Sequence, residues 1–388
     1  MNGKLARVDY VTVLESFKDT NDVVKVLTGM RRCGKTSILE QYIDSLRKSG
    51  VPEEDIFYLD FEKRSGQDLK DRSALDSYFA GRLSKERQTY VFLNNIMCAE
   101  KWDQVVNRLL SFGKCDIYIV ESLVKPIVDA LSQHGPVNVE EIKVYPYSFK
   151  DYLEVNPSKD VDESFKAFAR YGGLPEVHIS KGERECDAML EGIFNTIVLN
   201  DLILKNNDDP RKLMAITKYL YTHIGKLTSI PEIAKACGIS SGSAERIVSD
   251  LEVAYLICRA DRYDVNMGIK KEQPFVLYAT DNGIRDFALK FDTEFSMDLA
   301  MENIVYLELK RRGYKVRAGS VHEDGTTFTA IDGDDHEYYK VVSSLDSMSC
   351  EIKDVIDNAN RIVLTFDRDV NDSCGKAKVV NICDWLLN

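Results

Sequence analysis

Gly29-Met30-Arg31-Arg32-Cys33-Gly34-Lys35-Thr36 meets every fixed position of the pattern G-x-x-x-x-G-K-[ST]. An apolar run, Val23 to Leu27, leads into it, and a helical pattern beginning Ser37-Ile38-Leu39 follows. Strand, glycine-rich turn and helix form the setting in which such a loop cradles phosphate. The spacing has a chemical reason. Glycines let backbone N–H groups curl around phosphate oxygens, and the helix beginning after Gly34 adds the partial positive charge of its N-terminus. Lys35 reaches the β- and γ-phosphates, and the Thr36 hydroxyl sits on Mg²⁺. Gly29, Arg31, Arg32, Cys33, Gly34, Lys35, Thr36 and Ser37 are therefore the candidate nucleotide-binding residues, with Thr36 meeting the metal.

The pattern around the loop extends the fold. Ile56–Phe61, Thr89–Leu93 and Asp116–Val120 are further apolar runs, separated by helical stretches at 72–86 and 102–113. Residues 1–24 read as an amphipathic helical lead-in. Continuous apolar strands alternating with helices predict a parallel α/β sheet covered on both faces, with ligand at the strands' C-terminal ends. A chain of 388 residues has room for two or three domains.

From Ser148 to about Asn206 the pattern is helical, broken at Tyr171-Gly172-Gly173-Leu174-Pro175-Glu176. After a helix at 211–225, two short helical stretches meet at Gly238 and lead to a strand-like Leu256–Ala260, the pattern of a winged helix-turn-helix. The last third reads as a small α/β domain. It holds strands at Phe275–Tyr278, Tyr314–Arg317, Thr326–Ile331, Tyr338–Ser343 and Arg361–Thr365, a turn at Thr280–Gly283 and a helix at Met301–Arg312. The expected domains are 1–150, 151–265 and 266–388.

Taken in order, these motifs resemble a known group: prokaryotic AAA-type P-loop ATPases with a winged helix and a C-terminal restriction-endonuclease-like domain of unknown function. The matching residues are the loop, Tyr58-Leu59-Asp60-Phe61-Glu62, Tyr145-Pro146-Tyr147-Ser148-Phe149 and Tyr171–Glu176. They continue with Ala279–Ile284, Glu302-Asn303, Tyr306-Leu307 and Arg311–Tyr314. The resemblance implies ATP as the nucleotide. It also implies an Asp-Glu pair after Leu93, the first acid holding Mg²⁺ through water and the second polarising the attacking water. Here those positions are Asn94-Asn95, which keep the size and lose the charge. Val137-Asn138 stands where the group has the Gly-Arg of an arginine finger, and the sensor strand reads Val120-Glu121-Ser122-Leu123. The expectation is a degenerate member that binds nucleotide and hydrolyses it slowly or not at all. The alternative is an active ATPase with a displaced carboxylate, Asp60 or Glu62 first, then Glu121.

The C-terminal domain departs from its group in the same way. Glu302 and Lys340 fit the nuclease-like pattern, while Gly325-Thr326-Thr327-Phe328 lacks both carboxylates of the metal-gathering strand. Asp332, Asp334 and Asp335 read as a solvated acidic turn. The second helix of the helix-turn-helix, Ser240–Glu252, carries Glu245, Asp250 and Glu252 against Arg246 alone, which favours packing over DNA reading. Lys310, Arg311 and Arg312 with Lys315 and Arg317 are the best basic cluster and read equally as a solvated helix end. Histidines 134, 178, 223, 322 and 336 are dispersed without metal-ligand spacing, and nine scattered cysteines lack any CxxC pair.

A net charge of −12 argues against broad nucleic-acid binding. No run approaches a membrane span and Met1–Asp9 lacks a signal-peptide layout, while the scattered cysteines without a disulfide framework read as a reducing, cytoplasmic compartment. The expected partners are a nucleotide, an unidentified protein and, through assembly, further copies of the chain. A DNA-associated role with an inactive nuclease-like module is the third reading. Nucleotide occupancy would move the helical lid, about 150–205, and the winged helix against the core.

Overall fold

The structure, a computed structural model, describes residues 5–180, 182–203, 209–264, 269–290, 293–318, 327–345, 359–368, 373–374 and 376–388. Gly325, Thr326, His322 and the expected boundary at 265/266 lie outside them. The chain forms two compact units, Met1–Val144 and Tyr145–Asn388.

The first unit is an α/β layer built on five parallel strands: β1 (Val23–Thr28), β2 (Ile56–Asp60), β3 (Thr89–Asn94), β4 (Cys115–Val120) and β5 (Asn138–Lys143). Their order is β2-β3-β4-β1-β5. β3 and β4 are buried at every position, as their unbroken apolar runs require of central strands covered on both faces. β5 alternates exposed and covered residues because it is an edge, and that polar sequence, Asn-Val-Glu-Glu-Ile-Lys, hid it from a search for apolar runs. On one face Tyr42, Phe92 and Tyr118 pack ring against ring. On the other, Val91, Ile117 and Ile119 meet Val105, Val106 and Leu109 of the helix Trp102–Phe112. Each such buried side chain contributes roughly 1.5–3 kcal/mol.

Where β1 and β4 begin, the Lys25 ammonium is buried against Asp116 and also donates to the Thr20 and Val23 carbonyls. Burial lowers the lysine and raises the carboxyl from their ordinary ranges, each opposed by the other's charge. Two helices are shorter than their patterns suggested. The first covers Val8–Ser16, and the stretch from Arg72 stops at Phe79, where Ala80 turns extended ahead of Gly81 at φ +77°.

The second unit begins with the helices Phe149–Val155, Val161–Tyr171 and Glu183–Thr196, the last continuing as π-type turns to Ile203. The helix Pro210–Thr222 precedes β6 (Leu227–Thr228), the helices Ile230–Cys237 and Ser241–Val253, β7 (Ile257–Asp264) and β8 (Ile269–Ala279). After the helices Asn282–Leu289 and Met297–Arg311 come β9 (Lys315–Ala318), β10 (Phe328–Asp332), β11 (Asp335–Val342), β12 (Asn360–Thr365), β13 (Ser373–Cys374) and β14 (Ala377–Asn381). Among the described residues all nine strands join one sheet, ordered β13-β14-β12-β11-β10-β9-β7-β8-β6. β8 pairs antiparallel with both β6 and β7, and β7 pairs parallel with β9. Its core gathers Phe149, Phe165, Tyr306 and Phe328 around the helix Met297–Arg311.

The turn expected at Thr280–Gly283 is instead a helix start. Asp281 caps it, its carboxylate accepting from the Ile284 N–H at 3.1 Å.

Candidate functional site

The loop leaves β1 at its C-terminal end and turns directly into the helix Lys35–Lys48. Gly29 has φ +135°, and a Cβ there would stand 2.2 Å from the Val144 carbonyl oxygen. Gly34 caps the helix in a left-handed conformation, φ +104°, and as a glycine it brings no side chain to the helix's first N–H groups. The helix N-terminus therefore opens onto the loop. Lys35 Nζ donates to the loop's own carbonyls, Gly29 at 2.6 Å and Met30 at 2.9 Å, so its ammonium is held within the loop's curl. The buried Cys33 thiol donates to the Val144 carbonyl, tying the loop to the chain beyond β5. Arg31 reaches Glu62 at 3.4 Å, and Arg32 is exposed at φ +66°. Ser37 accepts from Gln41 one helical turn on.

Thr36 meets the end of β3. Asn94 Nδ2 lies 3.3 Å from Thr36 Oγ1 and 3.0 Å from Asp60 Oδ2. Asp60 is Asn94's register partner across the β2–β3 pair, and the two side chains are 2% and 4% exposed. Asp60 Oδ1 also accepts the Glu62 N–H at 3.1 Å, and Lys63 Nζ lies 3.4 Å from Oδ2. The two acids singled out from sequence therefore stand in different surroundings. Asp60 is enclosed beside Thr36, whereas Glu62 is 47% exposed and paired with Arg31. Glu121 is buried, its Oε1 accepting the Met97 N–H at 3.0 Å. Asn95 is left-handed, φ +56°, and its N–H bonds to the Val120 carbonyl. Asn138 opens β5 opposite Val23, at the far end of the sheet from the loop.

Tyr58 belongs to the matching strand motif but is not among the candidate site residues read from sequence. It lies two residues before Asp60 on the same face of β2, and its buried hydroxyl stands within reach of the Asp60 and Asn94 side chains. Burial, reinforced by the charges of Asp60 and Glu40, pushes the phenol up to about 12. A period-two alternation of polar groups in a buried strand, Tyr58 then Asp60, was the available signal.

The other motifs converge within the second unit. The Gly173 N–H donates to Asp281 at 2.7 Å, and a Cβ on Gly172 would lie 2.2 Å from that carboxylate. Asn303 bonds both the N–H and the carbonyl of Ala279. Glu302 accepts from the Tyr278 hydroxyl at 2.7 Å, and burial raises its carboxyl. Arg311 and Arg312 both bind Glu308, and they also reach the Pro146 and Trp385 carbonyls. Arg311 and Arg312, two of the five residues of the basic cluster, are thus engaged in internal contacts. Asp332, Asp334 and Asp335 are exposed around a tight turn with Gly333 at φ +59°, and Lys340 is buried in β11. Among the described residues no group of three or more His, Cys, Asp or Glu is placed to hold a metal ion, and no helix is long and apolar enough to cross a membrane.

Parallel sheet, loop and strand order define an AAA-type P-loop ATPase fold. Residues 21–153 match the AAA domain family, and 162–294 match a domain of unknown function (DUF8612). A Walker-type ATPase of Pyrococcus abyssi has a similar fold, with TM-score 0.51 and 14% identity over 74% of this chain and 96% of that one. An uncharacterised Haemophilus influenzae protein is 30% identical across 99% of this chain and 98% of its own length, and the chain belongs to that protein's family. An uncharacterised protein of Methanocaldococcus jannaschii is 25% identical, covering 94% of this chain and 88% of that protein.

Proposed function

We propose that Gly29–Ser37 bind ATP, that Thr36 meets its Mg²⁺, and that turnover is slow or absent, so the chain works as a nucleotide-dependent switch or scaffold. One observation carries this reading: an intact phosphate cradle stands beside a β3 end whose two polar side chains are neutral amides, Asn94 reaching Thr36 at 3.3 Å. Such an amide cannot take a proton from attacking water, which the hydrolysis step requires. The AAA domain match over 21–153 supports the nucleotide.

The division at 150 and 265 is part of the same proposal. The helices Pro210–Thr222, Ile230–Cys237 and Ser241–Val253 followed by β7 support the winged-helix reading of 151–265, and the pairing of β7 with β8 carries the sheet on past that division. We read the winged helix as a packing module, because the helix Ser241–Val253 ties Arg246 to its own Asp250 and Glu252 to Arg259. β9 to β14 with the helix Met297–Arg311 make the endonuclease-like module, inactive because Glu302 is engaged with Tyr278. A protein partner, or further copies of the chain, would read the nucleotide state.

The second reading, an active ATPase with Asp60 or Glu62 as substitute acid, is favoured by the enclosure of Asp60 beside Asn94. Fluorescent-nucleotide titration and phosphate release, run on one purified sample with Mg²⁺, separate the two. Saturable binding without turnover is expected, and Lys35→Ala should lose the binding. Clear turnover would favour the second reading, and comparing Asp60→Asn, Glu62→Gln and Glu121→Gln would then identify the base. A wild-type chain that binds no nucleotide overturns both.

A further inference from the structure

We infer that Asp60, one strand away from the position where the resembling ATPases carry it, supplies the negative charge of the metal site at Thr36; this rests on the nucleotide-binding reading above. The charge missing from β3 is present on β2. Register sets Asp60 directly beside Asn94, and Asn94 Nδ2 bridges the two partners, 3.0 Å from Asp60 Oδ2 and 3.3 Å from Thr36 Oγ1. An ionised carboxylate only accepts hydrogen bonds, so the nitrogen end of the amide must face Asp60. Thr36 therefore stands one neutral amide away from a full negative charge that is 2% exposed and poorly screened by water.

The surroundings fit Mg²⁺, which keeps several of its waters and takes one or two carboxylates with the phosphates of its nucleotide. Thr36 offers a hydroxyl, Asp60 a carboxylate suited to an outer contact, and Tyr58 a buried hydroxyl beside Asp60 and Asn94. When bound, the metal would neutralise phosphate charge.

The neighbouring acids are committed elsewhere. Glu62 faces Arg31, and Glu121 holds the Met97 N–H. Asp60 itself is held in place by Asn94, the Glu62 N–H and Lys63. The consequence is a site that keeps metal-dependent binding while lacking a water-activating base.

The test is a fluorescent ATP titration of the full chain in Mg²⁺ and in EDTA, with Mn²⁺ replacing Mg²⁺ for electron paramagnetic resonance of the bound ion. Asp60→Asn should lower affinity for the metal–nucleotide complex by roughly tenfold or more, as outer carboxylates of metal sites do, and leave metal-free affinity within about twofold. The swap Asp60→Asn with Asn94→Asp moves the charge to β3 and should recover the metal dependence and the Mn²⁺ signal. Thermal melts matching the wild type establish that both variants fold. Unchanged metal dependence in Asp60→Asn, or a folded swap that recovers nothing, overturns the inference. Wild-type chain that binds nucleotide in neither condition overturns the nucleotide reading itself.

Discussion

Gly29 has no substitute at its position. At φ +135° a side chain is strained, and its Cβ would stand 2.2 Å from the Val144 oxygen, a backbone atom that cannot swing away. Gly29→Ala should therefore cost roughly 2–4 kcal/mol, combining left-handed strain with overpacking, and urea unfolding would read the loss. Residues of this kind were legible in the sequence because the loop pattern is a record of local backbone geometry. The Asp60–Asn94–Thr36 cluster was only half legible. Asp60 and Glu62 could be nominated as strand-end acids, but their separation into an enclosed and an exposed group depends on pairing between strands 34 residues apart. The neutral Asn94 reads in sequence as a loss, and only its hydrogen bonds reveal it as a link.

One peptide unit joins two elements of the second unit. The Gly172 carbonyl meets the ring of part-buried His178 at 2.9 Å, and the Gly173 N–H on the same peptide donates to Asp281, the cap of the next helix. Burial pushes His178 down to about 4, against the pull of the Gly172 carbonyl. An unfolded histidine titrates near 6.5, so between about 6.5 and 4 the unfolded chain binds the extra proton. The His178 contribution is thus full above about 6.5 and lost as pH falls towards 4. Asp281 acts in the opposite sense: burial pushes it up to about 6, against donors from Gly173, Ile284 and Gly283. Its contribution is full below about 4 and lost as pH rises through 6. Comparing wild type with His178→Gln cancels the Asp281 effect. The stability advantage of wild type over the variant should shrink from pH 7 to pH 5 by at most about 2 kcal/mol, read by denaturant unfolding at each pH. A constant difference would contradict the linkage. The Asp281 helix was missed because Asn282-Gly283 reads as a turn. Gly283 is needed inside the helix, since a Cβ there would stand 2.1 Å from the Tyr171 carbonyl oxygen.

For the whole molecule, the parallel sheet was legible and the second sheet was not, for one reason. Buried parallel strands are unbroken apolar runs that announce themselves locally, whereas the nine-strand order β13-β14-β12-β11-β10-β9-β7-β8-β6 is set by pairings distant in sequence. The same distance effect governs charge. Lys310, Arg311 and Arg312 look like a basic patch, yet Arg311 and Arg312 are turned onto Glu308 and onto backbone carbonyls. The exposed turn at Asp332–Asp335 and a net charge of −12 leave the molecule's field repulsive to a phosphate backbone. Non-specific DNA binding draws its affinity from Lys and Arg that release counterions, with log affinity falling by about 0.9 per phosphate contact per decade of salt. Fluorescence anisotropy with labelled duplex and single-stranded DNA at low ionic strength should accordingly give no saturating, salt-sensitive isotherm, with or without ATP and Mg²⁺. A steep salt dependence would mean that a local basic face outweighs the net charge, and it would return the winged helix and the nuclease-like module to a DNA-associated role.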